Sequence, residues 1–151
     1  MSTTSVTNYF INTCSSPINF YCSCWWNVIK DFYDDLAIGD IPDLTWIEPS
    51  YFNGPKKHHK ATDQHPDHDV SLGEKLIKDV YEALRSSSLW NETALVITYD
   101  EHGGFFDHVK PPTNIPNPDG RNSTDDPFDF TRLGVRIPTV VVSPWVRKGS
   151  V

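Results

Sequence analysis

Asp100 and Glu101 stand side by side where a run of strand-forming residues, Ala94-Leu95-Val96-Ile97-Thr98-Tyr99, comes to an end, and His102, Gly103 and Gly104 follow directly. Open α/β sheets collect their ligands just outside the carboxyl ends of strands. Carboxylates are costly to hold at the end of a buried strand unless they are paired or bind a metal. Two adjacent ones therefore predict a hard-cation site in which metal and phosphate oxygens share a coordination sphere.

A second cluster lies upstream, at His65-Pro66-Asp67-His68-Asp69. A helical pattern starts just after it, and the partial positive charge of a helix start helps histidines meet a substrate anion. His102 and His108, with Asp107, lie beyond the strand. These four are drawn from six histidines in the whole chain, a concentration that favours chemistry over surface decoration. For each one taken singly, a solvated or capping role competes with a chemical one. His58 and His59 read as loop residues.

The elements that must position these groups are legible in outline. Trp25, Val28, Ile29, Phe32, Tyr33 and Leu36 recur at helical spacing, read as core packing, and Gly39 can end that helix. Leu44-Thr45-Trp46-Ile47-Glu48 reads as a short strand stopped by Pro49, and residues 49–68 as a polar loop. A second helix is expected over residues 71–87, with Leu72, Leu76, Ile77, Val80, Tyr81 and Leu84 on its buried face. Ser71 and Glu74 have the spacing of a capping box. Strand, helix and strand over residues 44–100 predict a right-handed crossover joining parallel strands. Residues 101–133 read as irregular, with prolines at 111, 112, 116, 118 and 127. A loop that long is usually functional or disordered. Pro138-Thr139-Val140-Val141-Val142-Ser143 is a further strand. Its unbroken apolar character, like that of residues 94–99, predicts strands covered on both faces.

Bulk properties narrow the class. A chain of 151 residues is enough for one domain with a core, and 38% hydrophobic with 22% charged residues is a globular composition. A net charge of -7 argues against general nucleic-acid binding and gives no broad pull toward anionic membranes. The basic run Lys56-Lys57-His58-His59-Lys60 reads as a solvated loop rather than a lipid patch. Cys14, Cys22 and Cys24 are odd in number, so they cannot form a closed disulfide set within the chain. Cys22-Ser23-Cys24 has the wrong spacing for a zinc ribbon. No stretch is long and apolar enough to span a bilayer, and residues 1–26 lack the pattern of a signal peptide. The sequons Asn91-Glu92-Thr93 and Asn122-Ser123-Thr124 weakly favour a secretory route.

Thr98-Tyr99-Asp100-Glu101-His102-Gly103-Gly104-Phe105-Phe106-Asp107-His108-Val109 closely resembles the signature of the phosphoesterase family, which contains the plant and bacterial non-specific phospholipases C and related acid phosphatases. His65-Pro66-Asp67-His68-Asp69-Val70 looks like its upstream histidine motif. Thr131-Arg132-Leu133-Gly134-Val135-Arg136-Ile137-Pro138, with Ser143-Pro144-Trp145, looks like its following strand region. The resemblance covers roughly residues 44–151. Phe106 stands where many members carry tyrosine.

The resemblance implies an α/β, alkaline-phosphatase-like fold, a mainly parallel sheet flanked by helices that is incomplete in this chain. It implies hydrolysis of phosphate monoesters, or of phospholipid phosphodiesters with release of diacylglycerol and a phosphorylated head group. Asp100 and Glu101 would ligate a divalent metal ion of unknown identity. His65 and His68 would hold phosphoryl oxygens or the leaving group, and His102 belongs to the matching signature. The family's amino-terminal Glu-Asn metal-binding pair and its Ser or Thr nucleophile have no counterpart here. The expected organisation is therefore an irregular leader, residues 1–24, followed by a partial phosphoesterase domain, residues 25–151, with the character of a middle-to-late portion. The implied partner is a phospholipid or other phosphate ester, not a nucleic acid. Peripheral membrane contact, oligomeric state and location, secretory or membrane-peripheral, stay open. Two other readings stand beside this one. One is a non-catalytic remnant that binds a metal or a partner. The other is a zinc hydrolase built on His65, His68, His102 and Asp100, ranked last because adjacent carboxylates favour a harder cation.

Overall fold

Tyr9, Phe10 and Ile11 are three strand-forming residues in a row, and they pair with two other segments of the same kind. The computed structural model describes residues 8–12, 24–53, 60–125 and 127–151. Cys14, Cys22 and most of the basic run at 56–60 lie outside the described residues. Strand β1, Asn8–Asn12, is the centre of a three-stranded sheet of order β2-β1-β3, with β2 at Cys24–Val28 and β3 at Thr45–Ile47. Both pairings are antiparallel, with Ile11 opposite Trp25 and Phe10 opposite Trp46.

This sheet corrects three expectations. The stretch expected to be an irregular leader contains β1. Trp25 and Val28, expected on a helix, lie in β2, and helix α1 runs only over Ile29–Ile38. Aromatic and β-branched residues fit a pleated strand as well as a helical stripe, and the β1 ladder decides between them. The expected crossover is also absent among the described residues. β3 pairs with β1, whereas β4, Leu95–Thr98, pairs with β5, Thr139–Val142, so β3 and β4 do not share a sheet. A mainly parallel sheet is thus replaced, for the three-stranded sheet, by an antiparallel one. Nor are β4 and β5 covered on both faces: β4 alternates half-buried and exposed residues, and Val140 and Val141 are exposed.

Helix α2, Val70–Ser86, falls within one residue of expectation at both ends. Its cap differs. Asp69, not Ser71, is the N-cap, and its Oδ1 accepts from the Ser71 amide at 3.1 Å and the Ser71 hydroxyl at 2.7 Å. The Asp69 carboxylate thus satisfies a free amide of the first turn directly. Ser87 closes the other end, its amide donating to the Leu84 carbonyl at 3.1 Å. Val80 and Leu84 of α2 pack with Phe32 and Leu36 of α1 as the buried core, with Ile47, Leu76 and Leu95 against it. Tyr81, expected on that face, is exposed and meets Trp90 edge-on at 6.2 Å. No helix among the described residues is long and apolar enough to cross a membrane.

The chain divides into two compact units, one of residues 1–96 with 141–151, the other of residues 97–140. The second has little regular structure but is tied internally. Thr113 and Arg132 form an antiparallel bridge, and the Asn117 side-chain amide donates to the carbonyls of Arg121 and Asp129, both at 2.8 Å. The proline-rich loop is thus a folded hairpin held by side-chain-to-backbone bonds.

Candidate functional site

The sequence candidates fall into both units, and those of each unit are described by themselves. In the first unit, the segment leading into α2 is anchored next to β3. The Ser50 amide donates to Thr62 Oγ1 at 2.9 Å, and the Thr62 amide donates to the Ser50 carbonyl at 2.8 Å. Asp63 follows, and its Oδ1 accepts from the His65 amide at 3.2 Å and lies 2.8 Å from His68 Nδ1. The His68 amide donates to the His65 carbonyl at 2.8 Å, closing a turn over Pro66. The structure therefore brings His65 and His68 together, with ring centroids 5.9 Å apart.

The two rings differ in setting. The His68 side chain is 14% exposed and its partner Asp63 11%. His65 is 57% exposed, and its Nδ1 lies 2.5 Å from Oδ1 of Asp67, itself 74% exposed. That hydrogen bond from His65 holds the Asp67 carboxyl below the usual carboxylate range. Hydrogen bonds from Ser71 do the same for Asp69. Asp63 was not among the expected site residues. The spacing Asp-x-His is that of an Asx turn, which was the available signal.

In the second unit, β4 delivers Asp100 and Glu101 to the surface past its last residue, Thr98. Glu101 Oε2 accepts from the Gly103 amide at 2.5 Å and lies 3.6 Å from His102 Nδ1. Gly103 and Gly104 have φ of 63° and 79°, a left-handed turn that glycine enters at little cost. It folds the chain back so that the Gly103 amide can reach Glu101. The structure thus gathers Asp100, Glu101 and His102 at one exposed corner. Two adjacent carboxylates there have the oxygen-donor chemistry a hard divalent cation takes, as part of a shell of about six oxygens. Among the described residues no group of three His, Cys, Asp or Glu side chains converges tightly enough to hold a metal alone.

Asp107 plays a different part. Its side chain is 16% exposed and is gripped by Arg136, with Nε 2.8 Å from Oδ2 and Nη2 3.2 Å from Oδ1. The Arg136 guanidinium holds this carboxyl below its ordinary range. Asp107 also accepts from the Val109 amide at 3.0 Å. His108 is open to solvent, its Nδ1 3.7 Å from Asp107 Oδ1.

The profile of the phosphoesterase family matches residues 8–151. The chain belongs to the phosphoesterase family. The match takes in β1 and so reaches into the segment set apart as a leader. The chain is similar to non-specific phospholipase C6 of Arabidopsis thaliana, with 62% identity over 123 residues, covering 80% of this chain and 23% of that protein. Identity to non-specific phospholipase C1 of Arabidopsis thaliana is 50% over 119 residues, 78% of this chain and 22% of that one. Phospholipase C B of Mycobacterium tuberculosis strain H37Rv is 34% identical over 128 residues, 78% of this chain and 23% of its own length. The chain therefore spans less than a quarter of the length of these relatives.

Proposed function

We propose that this chain forms part of a phosphate-ester hydrolase with phospholipase C-like action on phospholipid phosphodiesters, or on phosphomonoesters. The observation that carries the reading is the exposed Asp100–Glu101 pair beyond the end of β4, in a chain whose family match runs over residues 8–151. The names of these three relatives, all phospholipases C, support the substrate class. The reading includes an alkaline-phosphatase-like arrangement for the phosphoesterase domain.

Asp100 and Glu101 would hold a divalent cation, which when bound stabilises charge on phosphoryl oxygens and activates a hydroxyl nucleophile. Glu101 is oriented for this by the Gly103 amide, which occupies one of its oxygens. His65 and His68 take the phosphoryl oxygens or the leaving group, and His102 lies beside Glu101 to add a further donor. The test is turnover of a phosphocholine ester and of p-nitrophenyl phosphate by the purified protein with added divalent metals. Asp100→Asn is expected to lower cation binding at least tenfold, and to lower turnover with it. Cation binding unchanged in Asp100→Asn would remove the pair from the chemistry.

A further inference from the structure

Two bonds converge on a single oxygen of Asp63, from the His65 amide at 3.2 Å and from His68 Nδ1 at 2.8 Å. An ionised carboxylate only accepts, so the His68 nitrogen facing it must carry the hydrogen. In the neutral ring the lone pair then sits on Nε2, which stands 3.9 Å from Asp67 Oδ1, beyond hydrogen-bond reach. The turn that makes this possible needs a gap beside it. Gln64 has a φ of 62° and crosses the first turn of α2 at Gly73. A Cβ on Gly73 would come within 2.2 Å of Gln64 Cγ and 2.8 Å of the Thr62 carbonyl oxygen. The bare helix surface at Gly73, the Ser50–Thr62 bonds and the Asp63 carboxylate therefore fix one loop geometry.

We propose that Asp63 is a positioning residue for the phosphoryl chemistry: it locks the neutral His68 ring as the Nδ1–H tautomer, so that Nε2 is the nitrogen that takes up a proton and, as the imidazolium, donates it to a phosphoryl oxygen or leaving group. An aspartate that merely closed the turn would be satisfied by the His65 amide. The second bond, to a ring with little solvent around it, has a chemical consequence, because a carboxylate behind an imidazole sets its tautomer and orientation. The proposal rests on the phosphate-ester reading above.

The experiment is a nitrogen–proton correlation spectrum of the imidazoles in the full 151-residue chain labelled with nitrogen-15 histidine, at a pH where the rings are neutral. His68→Gln identifies the His68 signals. The expected result is a His68 pattern with hydrogen on Nδ1. Asp63→Asn is expected to shift the ring to the Nε2–H form, and Gly73→Ala, which keeps every polar group but displaces the loop, to do so in part. A wild-type His68 in the Nε2–H form overturns the proposal without any variant. So does an unchanged tautomer in Asp63→Asn with the helical circular dichroism retained. Inorganic phosphate is then titrated in. It should move the His68 Nε2 resonance, with an affinity about tenfold weaker in Asp63→Asn. Phosphate that moves neither the His65 nor the His68 ring of the wild type overturns the phosphate-ester reading itself, whereas the tautomer reports on Asp63 separately.

Discussion

Arg136 grips Asp107 across 29 positions of chain with two nitrogen–oxygen contacts, 2.8 Å and 3.2 Å. This fork joins the segment after the Asp100–Glu101 corner to the segment before β5. Planar guanidinium and carboxylate match in shape, so the pair is directional as well as charged. Arg136→Lys keeps the charge but loses the fork. Faster amide exchange at residues 105–109 and 131–136 is the expected outcome, and unchanged exchange would show that the fork orders nothing.

The same pair has a pH signature. Arg136 lowers the folded-state pKa of Asp107 below the ordinary value of 3.8. A depressed carboxyl contributes stability that is fully present above its unfolded pKa and is lost as pH falls through the folded one. Protection of residues 105–109 should therefore be flat above about pH 5 and decline in acid below the ordinary carboxylate range. In Asp107→Asn that decline should be absent, as amide exchange measured from pH 6 to pH 2 would reveal.

Gly73 tests the balance of helix propensity against crowding. Alanine favours a helix interior over glycine by about 1 kcal/mol. Here its Cβ would lie 2.8 Å from a backbone carbonyl oxygen, which cannot swing aside as a side chain can. Overpacking of this kind costs about 1–3 kcal/mol. Urea unfolding of Gly73→Ala should show net destabilisation, and a stabilised variant would mean that the loop over residues 62–64 yields freely.

The core prediction concerns Leu84, which is buried between α2 and α1 with Phe32, Leu36 and Val80. Leu84→Ala should lower unfolding free energy by about 2–5 kcal/mol. Leu84→Met, which conserves volume, should cost less than about 1.5 kcal/mol. Similar losses for both in chemical denaturation would contradict a packed site.

Cation binding at the Asp100–Glu101 corner should be weak in this chain. Two carboxylates supply few of the six or so oxygens that a hard cation takes, so dissociation constants of about 0.1–1 mM or weaker are expected. Calorimetric titration with Mg²⁺, Ca²⁺ and Mn²⁺ measures this. Micromolar binding would mean that more ligands converge on the corner than Asp100, Glu101 and His102.

Local pattern was enough for some of this protein and not for the rest. The apolar rhythm of α2, the short strands at 45–47, 95–98 and 139–142, and the delivery of Asp100 and Glu101 past a strand end are all properties of neighbouring residues. They could be read before any fold was known, because helix and strand periods are written in consecutive side chains. The pairing of β1 with β2 and β3 could not, because a ladder partner lies elsewhere in the chain and Trp25 and Val28 suit either structure. Nor could the roles of Asp63 and Arg136. His68 meets Asp63 only when residues 63–68 turn back on the N-terminus of α2, and Arg136 meets Asp107 only when the proline-rich segment between them folds into its hairpin. The sequence by itself determined which candidate groups follow the end of β4 and which precede the start of α2. The tertiary structure decided which nitrogen faces which carboxylate, since hydrogen bonds depend on distances of a few tenths of an ångström that only closed backbone geometry sets.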